Sequence, residues 1–109
     1  MKLVYLAGPM SKGPQFEHVR EACRQLSLLI GAGIAPIAPQ LHFFADLVYP
    51  HSYDAWLAID FEIIKRCDVL IRIPGESSGA DREVEWARKW DIPVFFGTAD
   101  EYLARGGKT

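Results

Sequence analysis

From Asp68 to Trp90 the chain reads as a strand, a tight turn and a helix with nothing between them. Val69 to Ile73 is an apolar run suited to a buried strand, and Pro74 and Gly75 supply the turn. A helix is expected from near Ser78, because Ser78 followed by Asp81 is a capping-box-like start. Ala80, Val84 and Ala87 form its inward stripe, with Trp90 beyond, and Arg82, Glu85, Arg88 and Lys89 fall on its outer faces. Glu83 falls inside the inward stripe. A carboxylate there is costly unless paired or hydrogen-bonded. Either Glu83 snorkels or pairs with an arginine such as Arg72, or it carries a function.

The rest of the chain repeats the strand-then-helix pattern. Leu3 to Ala7 is a continuous apolar run ended by Gly8-Pro9, as in a parallel strand buried on both faces. A helix is expected from Pro14, with Phe16, Val19, Cys23, Leu26 and Ile30 inward and His18 solvated. Ile34 to Pro39 reads as a second strand, and its two prolines place it at a sheet edge. Gln40 to His51 is too aromatic for a disordered linker and is expected to fold over something, as a lid or a dimer surface. Ser52-Tyr53-Asp54 opens a third helix, apolar nearly all round and so expected to be well buried. Asp60 sits in its middle, a poor position for aspartate, and is the second anomaly. A structural hydrogen bond to a loop is the plain explanation; the matching oddity at Glu83 tips the balance to function. Pro93 to Phe96 is a fourth strand, and Thr98 with Glu101 is a capping box for a last helix stopped by Gly106-Gly107.

Alternating strands and helices predict an α/β fold, a flavodoxin-like or Rossmann-like three-layer sandwich with four to five parallel strands in the order 2-1-3-4. At 109 residues the chain is read as one domain spanning residues 1–109. In such sheets a ligand binds beyond the carboxyl ends of the strands where strand order reverses. The loops meeting there are Gly8-Pro9-Met10-Ser11 and Gly75-Glu76-Ser77-Ser78-Gly79, the second feeding a helix N-terminus suited to anions. Neither matches a dinucleotide fingerprint or a P-loop.

Composition excludes other classes. Net charge is −2 with no basic run, so binding to nucleic acid or an acidic membrane is not expected. No apolar stretch has the ~20 residues of a membrane span, and the N-terminal run is too short for a secretory signal. Cys23 and Cys67 lack metal spacing and read as reduced core residues of a cytoplasmic protein.

Three motifs in order carry a resemblance. They are Tyr5-Leu6-Ala7-Gly8, then Asp60-Phe61-Glu62 with Cys67-Asp68-Val69-Leu70, then Ser78-Gly79-x-x-x-Glu83-x-x-x-Ala87. Together they resemble the nucleoside 2-deoxyribosyltransferase superfamily, and most of all its short members. The resemblance implies that Glu83 is the nucleophile, that Asp60 holds the sugar or assists the departing base, and that Tyr5 orients the glutamate. It further implies that Gly8, Pro9, Met10, Ser11, Ser77, Ser78 and Gly79 line the sugar or phosphate pocket. Glu85 departs from the glycine the superfamily often has two residues after its glutamate.

The chemistry suits these residues. A carboxylate below the anomeric carbon traps an oxocarbenium-like centre as a covalent glycosyl-enzyme, and a second acid helps the base depart. The helix N-terminus and serine hydroxyls are expected to offset burial and keep Glu83 ionised. A base as acceptor makes a transferase; water makes a nucleoside or nucleotide N-glycosidase. No cofactor or metal is expected. The expected partners are a small nucleoside or nucleotide and further copies of the chain, in a dimer or higher oligomer suggested by the aromatic excess. A nucleotide-binding module without turnover and a plain interaction domain are the competing classes. Arg72 is left between a phosphate, Glu76 and Glu83, and His42 and His51 are set aside as structural.

Overall fold

The computed structural model describes residues 1–10 and 14–106. In chain order the elements are β1 (Leu3–Ala7), α1 (Gln15–Gly31), β2 (Ala35–Ile37), a 3-10 turn (Pro39–Leu41), α2 (His42–Val48) and α3 (Tyr53–Ile64). After them come β3 (Val69–Arg72), α4 (Ser78–Lys89), β4 (Val94–Phe96) and α5 (Ala99–Ala104). The four strands form one parallel sheet in the order β2-β1-β3-β4. This is the α/β, flavodoxin-like arrangement expected from the sequence, with the proline-bearing strand at an edge.

The pleat sends alternate side chains of the central strands to opposite faces. Val4, Leu6 and Ile71 pack with Ala22 and Leu29 of α1 and Tyr102 of α5. Tyr5, Ala7 and Leu70 pack with Ile64 of α3 and Val84 and Ala87 of α4. Every residue from Val4 to Ala7 is fully buried, which is why this strand shows no polar alternation.

Several local expectations shift. The buried face of α1 is Val19, Ala22, Gln25 and Leu29, while Phe16, Cys23 and Ile30 are exposed. The apolar positions of α1 supported two stripes, and Gln25 decides between them. Its amide is fully buried, donating to Glu21 and accepting from the Ala99 backbone N–H at 2.8 Å, so it satisfies the start of α5. Cys67, by contrast, is buried as expected. Residues 35–37 alone pair as the second strand, and Pro39 begins the 3-10 turn instead of extending it. The aromatic segment after it is largely helical, and α2 has no buried residue. Helix α3 is less buried than its composition suggests: only Asp60 and Ile64 are fully covered, and Ile59 and Tyr53 are exposed. The capping box at Thr98 and Glu101 forms as expected. Gly106 ends the chain's last described turn with φ +79°, and Gly107 lies outside the described residues.

Helix α4 begins at Ser78 as expected, but its cap is one residue earlier than the spacing suggested. Ser77 is the N-cap, its Oγ accepting from the Ala80 N–H at 3.1 Å. Asp81 is turned instead toward Arg72, whose Nη2 donates to Asp81 Oδ1 at 2.9 Å and to the Gly75 carbonyl at 3.0 Å. Arg72 acts on Glu83, one of the partners weighed from the sequence, through its charge. It binds the turn that links β3 to α4.

Gly75 in that turn has φ +128°, and a Cβ there would stand 2.5 Å from Pro9 Cγ. The turn after β3 thus presses on the loop after β1, and only glycine permits the approach. Gly75→Ala is expected to cost about 1–3 kcal/mol of stability through strain and steric displacement. Urea denaturation checks this; an unchanged midpoint would contradict the packing of the two loops.

Candidate active site

Beyond the carboxyl ends of β1 and β3 lies a cavity of about 320 Å³. Its floor carries the two carboxyls that looked out of place in the sequence. Glu83 reaches it from the inner face of α4 and Asp60 from the middle of α3, and both residues are buried. Tyr5 approaches from β1: its hydroxyl donates to Glu83 Oε2 at 2.6 Å, a short charge-assisted type of contact between elements 78 residues apart. Asp60 Oδ1 has no hydrogen-bond partner among the described residues, and His42 Nδ1 stands 3.7 Å from it.

Burial pushes the Glu83 carboxyl up to about 8. The Tyr5 hydroxyl opposes this, the adjacent Asp60 adds to it, and the positive field of Arg72 reduces it. Burial also raises Asp60, while contact with Glu83 and the charge of His42 pull it down. Tyr5 lies well above its ordinary value, mainly through burial and then through Glu83, so it stays a hydrogen-bond donor at any working pH. Burial therefore shifts both carboxyls toward their protonated forms. This corrects the expectation that Glu83 is kept ionised in the free protein. The serine hydroxyl meant to help, Ser77 Oγ, is committed to the helix cap.

Of the residues expected to line the pocket, Gly8, Met10, Ser77 and Gly79 share the cavity with Glu83 and Asp60. Gly79 lets the Tyr53 hydroxyl come within 3.3 Å of where a side chain would begin. Pro9 instead lines a second cleft with Ile73, Pro74 and Gly75. Ser78 is exposed on the first turn of α4 and is not among the cavity residues. Ser11 lies outside the described residues.

The outer wall is built largely by the Gln40–His51 segment that was expected to fold over something, here together with the entry to α3. Gln40, His42, Phe43 and Asp46 come from the 3-10 turn and α2, and His51, Tyr53 and Trp56 from the entry to α3. Trp56 Nε1 donates to Asp46 Oδ1 at 2.7 Å, which also accepts from the His51 backbone N–H at 2.8 Å. His42 stacks on Trp56 with ring centroids 4.8 Å apart. The density of aromatic and histidine residues between Gln40 and Trp56 was the available signal. His18, expected to be solvated, is half-buried in the second cleft. Among the described residues no cluster of three or more His, Cys, Asp or Glu side chains is placed to hold a metal ion, and no helix is long and apolar enough to cross a membrane.

The site predicts a clear phenotype for Tyr5→Phe. The lost hydroxyl favoured the carboxylate form, so the Glu83 carboxyl moves further up. Any activity that needs ionised Glu83 is expected to fall about 10–100-fold at pH 7 and to recover partly at higher pH. An unchanged pH profile would show that the hydrogen bond does not tune Glu83.

Fold and crevice together define a flavodoxin-like α/β protein with a buried tyrosine–glutamate–aspartate constellation at its topological switch point. The chain belongs to the family described as Domain of unknown function (DUF4406), whose profile matches residues 2–96. No curated protein matches it in sequence. Among solved structures it is similar to the CMP N-glycosidase BcmB of Clostridium botulinum, with a TM-score of 0.61 and 23% identity over 87% of this chain and 70% of that one. It is also similar to a 2-deoxyribosyltransferase from Bacillus psychrosaccharolyticus, with a TM-score of 0.61 and 24% identity over 86% of this chain and 70% of that one. At that identity the likeness establishes a shared fold.

Proposed function

We propose that this protein breaks the N-glycosidic bond of a nucleoside or nucleoside 5′-monophosphate, with Glu83 as nucleophile. The observation that carries the reading is the buried Tyr5–Glu83 hydrogen bond of 2.6 Å, set beside a second buried carboxyl in a cavity of nucleoside size. The resemblance to the nucleoside 2-deoxyribosyltransferase superfamily supports it. So does the fold shared with an N-glycosidase and a deoxyribosyltransferase.

In the first step a Glu83 carboxylate oxygen bonds to C1′ as the bond from C1′ to the base nitrogen breaks. The bond's electron pair goes to the base, which takes a proton from Asp60. In the second step water or another base attacks C1′, Asp60 takes the acceptor's proton, and Glu83 leaves as a carboxylate. The competent state needs one proton on the pair, placed on Asp60. Tyr5 holds the glutamate in line, and Gly8, Met10, Ser77 and Gly79 shape the sugar end.

One observation favours a second reading, a binding module without turnover: burial pushes the Glu83 carboxyl up to about 8, and a protonated carboxyl is a weak nucleophile. That reading expects tight nucleotide binding and tolerance of Glu83→Gln. A screen of deoxynucleosides and nucleoside 5′-monophosphates, following free base by chromatography with Glu83→Ala alongside, separates the two. Base release by the wild type alone supports glycosyl chemistry, and an added second base then distinguishes transferase from hydrolase. Nucleotide-induced thermal stabilisation without base release would favour binding. The exposed Phe44, Leu47, Val48 and Tyr49 of the α2 region support a homo-oligomer, which a monomeric sedimentation profile would refute.

A further inference from the structure

We propose that His42 is a positioning residue that selects which of the two buried carboxyls, Glu83 or Asp60, carries a proton. Charged, His42 keeps Asp60 ionised and leaves the proton on Glu83. Neutral, it lets the proton settle on Asp60 and frees Glu83 as a carboxylate. The inference rests on the reading of Glu83 as nucleophile, and gives that site a control residue.

Geometry carries the argument. Asp60 Oδ1 is buried with no hydrogen-bond partner among the described residues, and His42 Nδ1 faces that same atom at 3.7 Å. The distance is beyond a hydrogen bond yet well within the range at which a charge acts strongly through a poorly solvated site. A movement of under about 1 Å would make the contact a hydrogen bond, with neutral Nδ1 accepting from a protonated Asp60. His42 is also held in place. It stacks on Trp56 at an interplanar angle of 21°, and the Asp46 carboxylate fixes the indole N–H. The His42 side chain is 32% exposed and that of Asp60 11%, so the imidazole is the more open of the two to solvent protons. The other titratable groups facing this corner of the cavity are Glu83 from α4, Tyr5 from β1, Asp46 from α2, and His51 and Tyr53 at the entry to α3. Among them His42 is the one placed against the open oxygen of Asp60.

Carboxyl ¹³C NMR titration of the whole protein tests this without a substrate. As pH falls from about 8 to about 5, the Asp60 side-chain carbon is expected to move toward its ionised position while the Glu83 carbon moves toward its protonated one. A carboxylate that loses a proton as the solution becomes more acidic is a signature that structural support alone does not give. It is expected to vanish in His42→Asn and in His42→Phe, the second keeping a ring to stack on Trp56. In parallel, base release by the wild type is expected to fall at least about tenfold from pH 7.5 to 5.5, and less than about threefold in either variant. Monotonic titration of Asp60 in the wild type, or a reversal that persists in His42→Phe, would overturn the proposal. If the reversal appears and depends on His42 but no nucleoside is cleaved, the proton assignment stands and the nucleophile reading fails.

Discussion

Glu83→Gln is expected to remove base release by a factor of at least about 10³ while making the protein more stable in alkaline solution. Loss of activity follows from loss of the nucleophile, since a side-chain amide does not form the glycosyl ester. The stability gain follows from burial. In the unfolded chain the carboxyl titrates near 4.5, and in the folded protein it is pushed up to about 8. Below the lower value Glu83 is protonated in both states and its ionisation does not bear on folding. As pH rises from 4.5 to 8 the unfolded chain releases a proton that the folded one retains, and stability falls with pH. Above 8 the wild type carries the full cost of a buried carboxylate, on the order of 3–5 kcal/mol. Glutamine has no such cost. The difference in melting temperature between variant and wild type is therefore expected to be small at pH 5 and largest near pH 9. A difference that does not vary with pH would contradict the protonated, buried state of Glu83.

Arg72→Ala is expected to cost about 1–3 kcal/mol of stability. Arg72 is itself buried, at the end of a central strand. Its guanidinium donates to the backbone carbonyls of Ile73 and Gly75 and to the Asp81 carboxylate. Asp81 is largely exposed, so the ion pair itself contributes little. The greater loss comes from carbonyls left without a donor in the turn between β3 and α4. The same turn sets the start of the helix that carries Glu83, and Arg72 also lowers the Glu83 carboxyl. Activity is expected to fall with stability. Arg72→Lys should recover only part of either, because an ammonium cannot span several acceptors in a planar fork. Urea denaturation of the three proteins decides the matter; a loss below about 1 kcal/mol for Arg72→Ala would show that water replaces the guanidinium freely.

Much of this architecture was legible because its causes are local. Uninterrupted apolar runs at Leu3–Ala7 and Val69–Arg72 mark strands covered on both faces, and two prolines mark an edge. Glu83 and Asp60 were visible as carboxylates on apolar helical stripes, and both are buried in one cavity. Where the local signal was double, the reading slipped. Helix α1 offered two possible inward faces, and a glutamine chosen by a contact with α5 fixed the true one. Either Ser77 or Ser78 could have capped α4, and the pull of Arg72 on Asp81 accompanies the choice of Ser77.

By itself, then, the sequence determined the order of elements, the sheet topology and the two carboxyls at its switch point, because hydrophobic periodicity and turn chemistry act over a few residues. Only the tertiary structure decided that Tyr5 meets Glu83, that α2 and Trp56 bring His42 against Asp60, and that burial raises the Glu83 carboxyl. These depend on distances between elements far apart in the chain and on how completely water is excluded where they meet, and neither is written in the spacing of neighbouring residues.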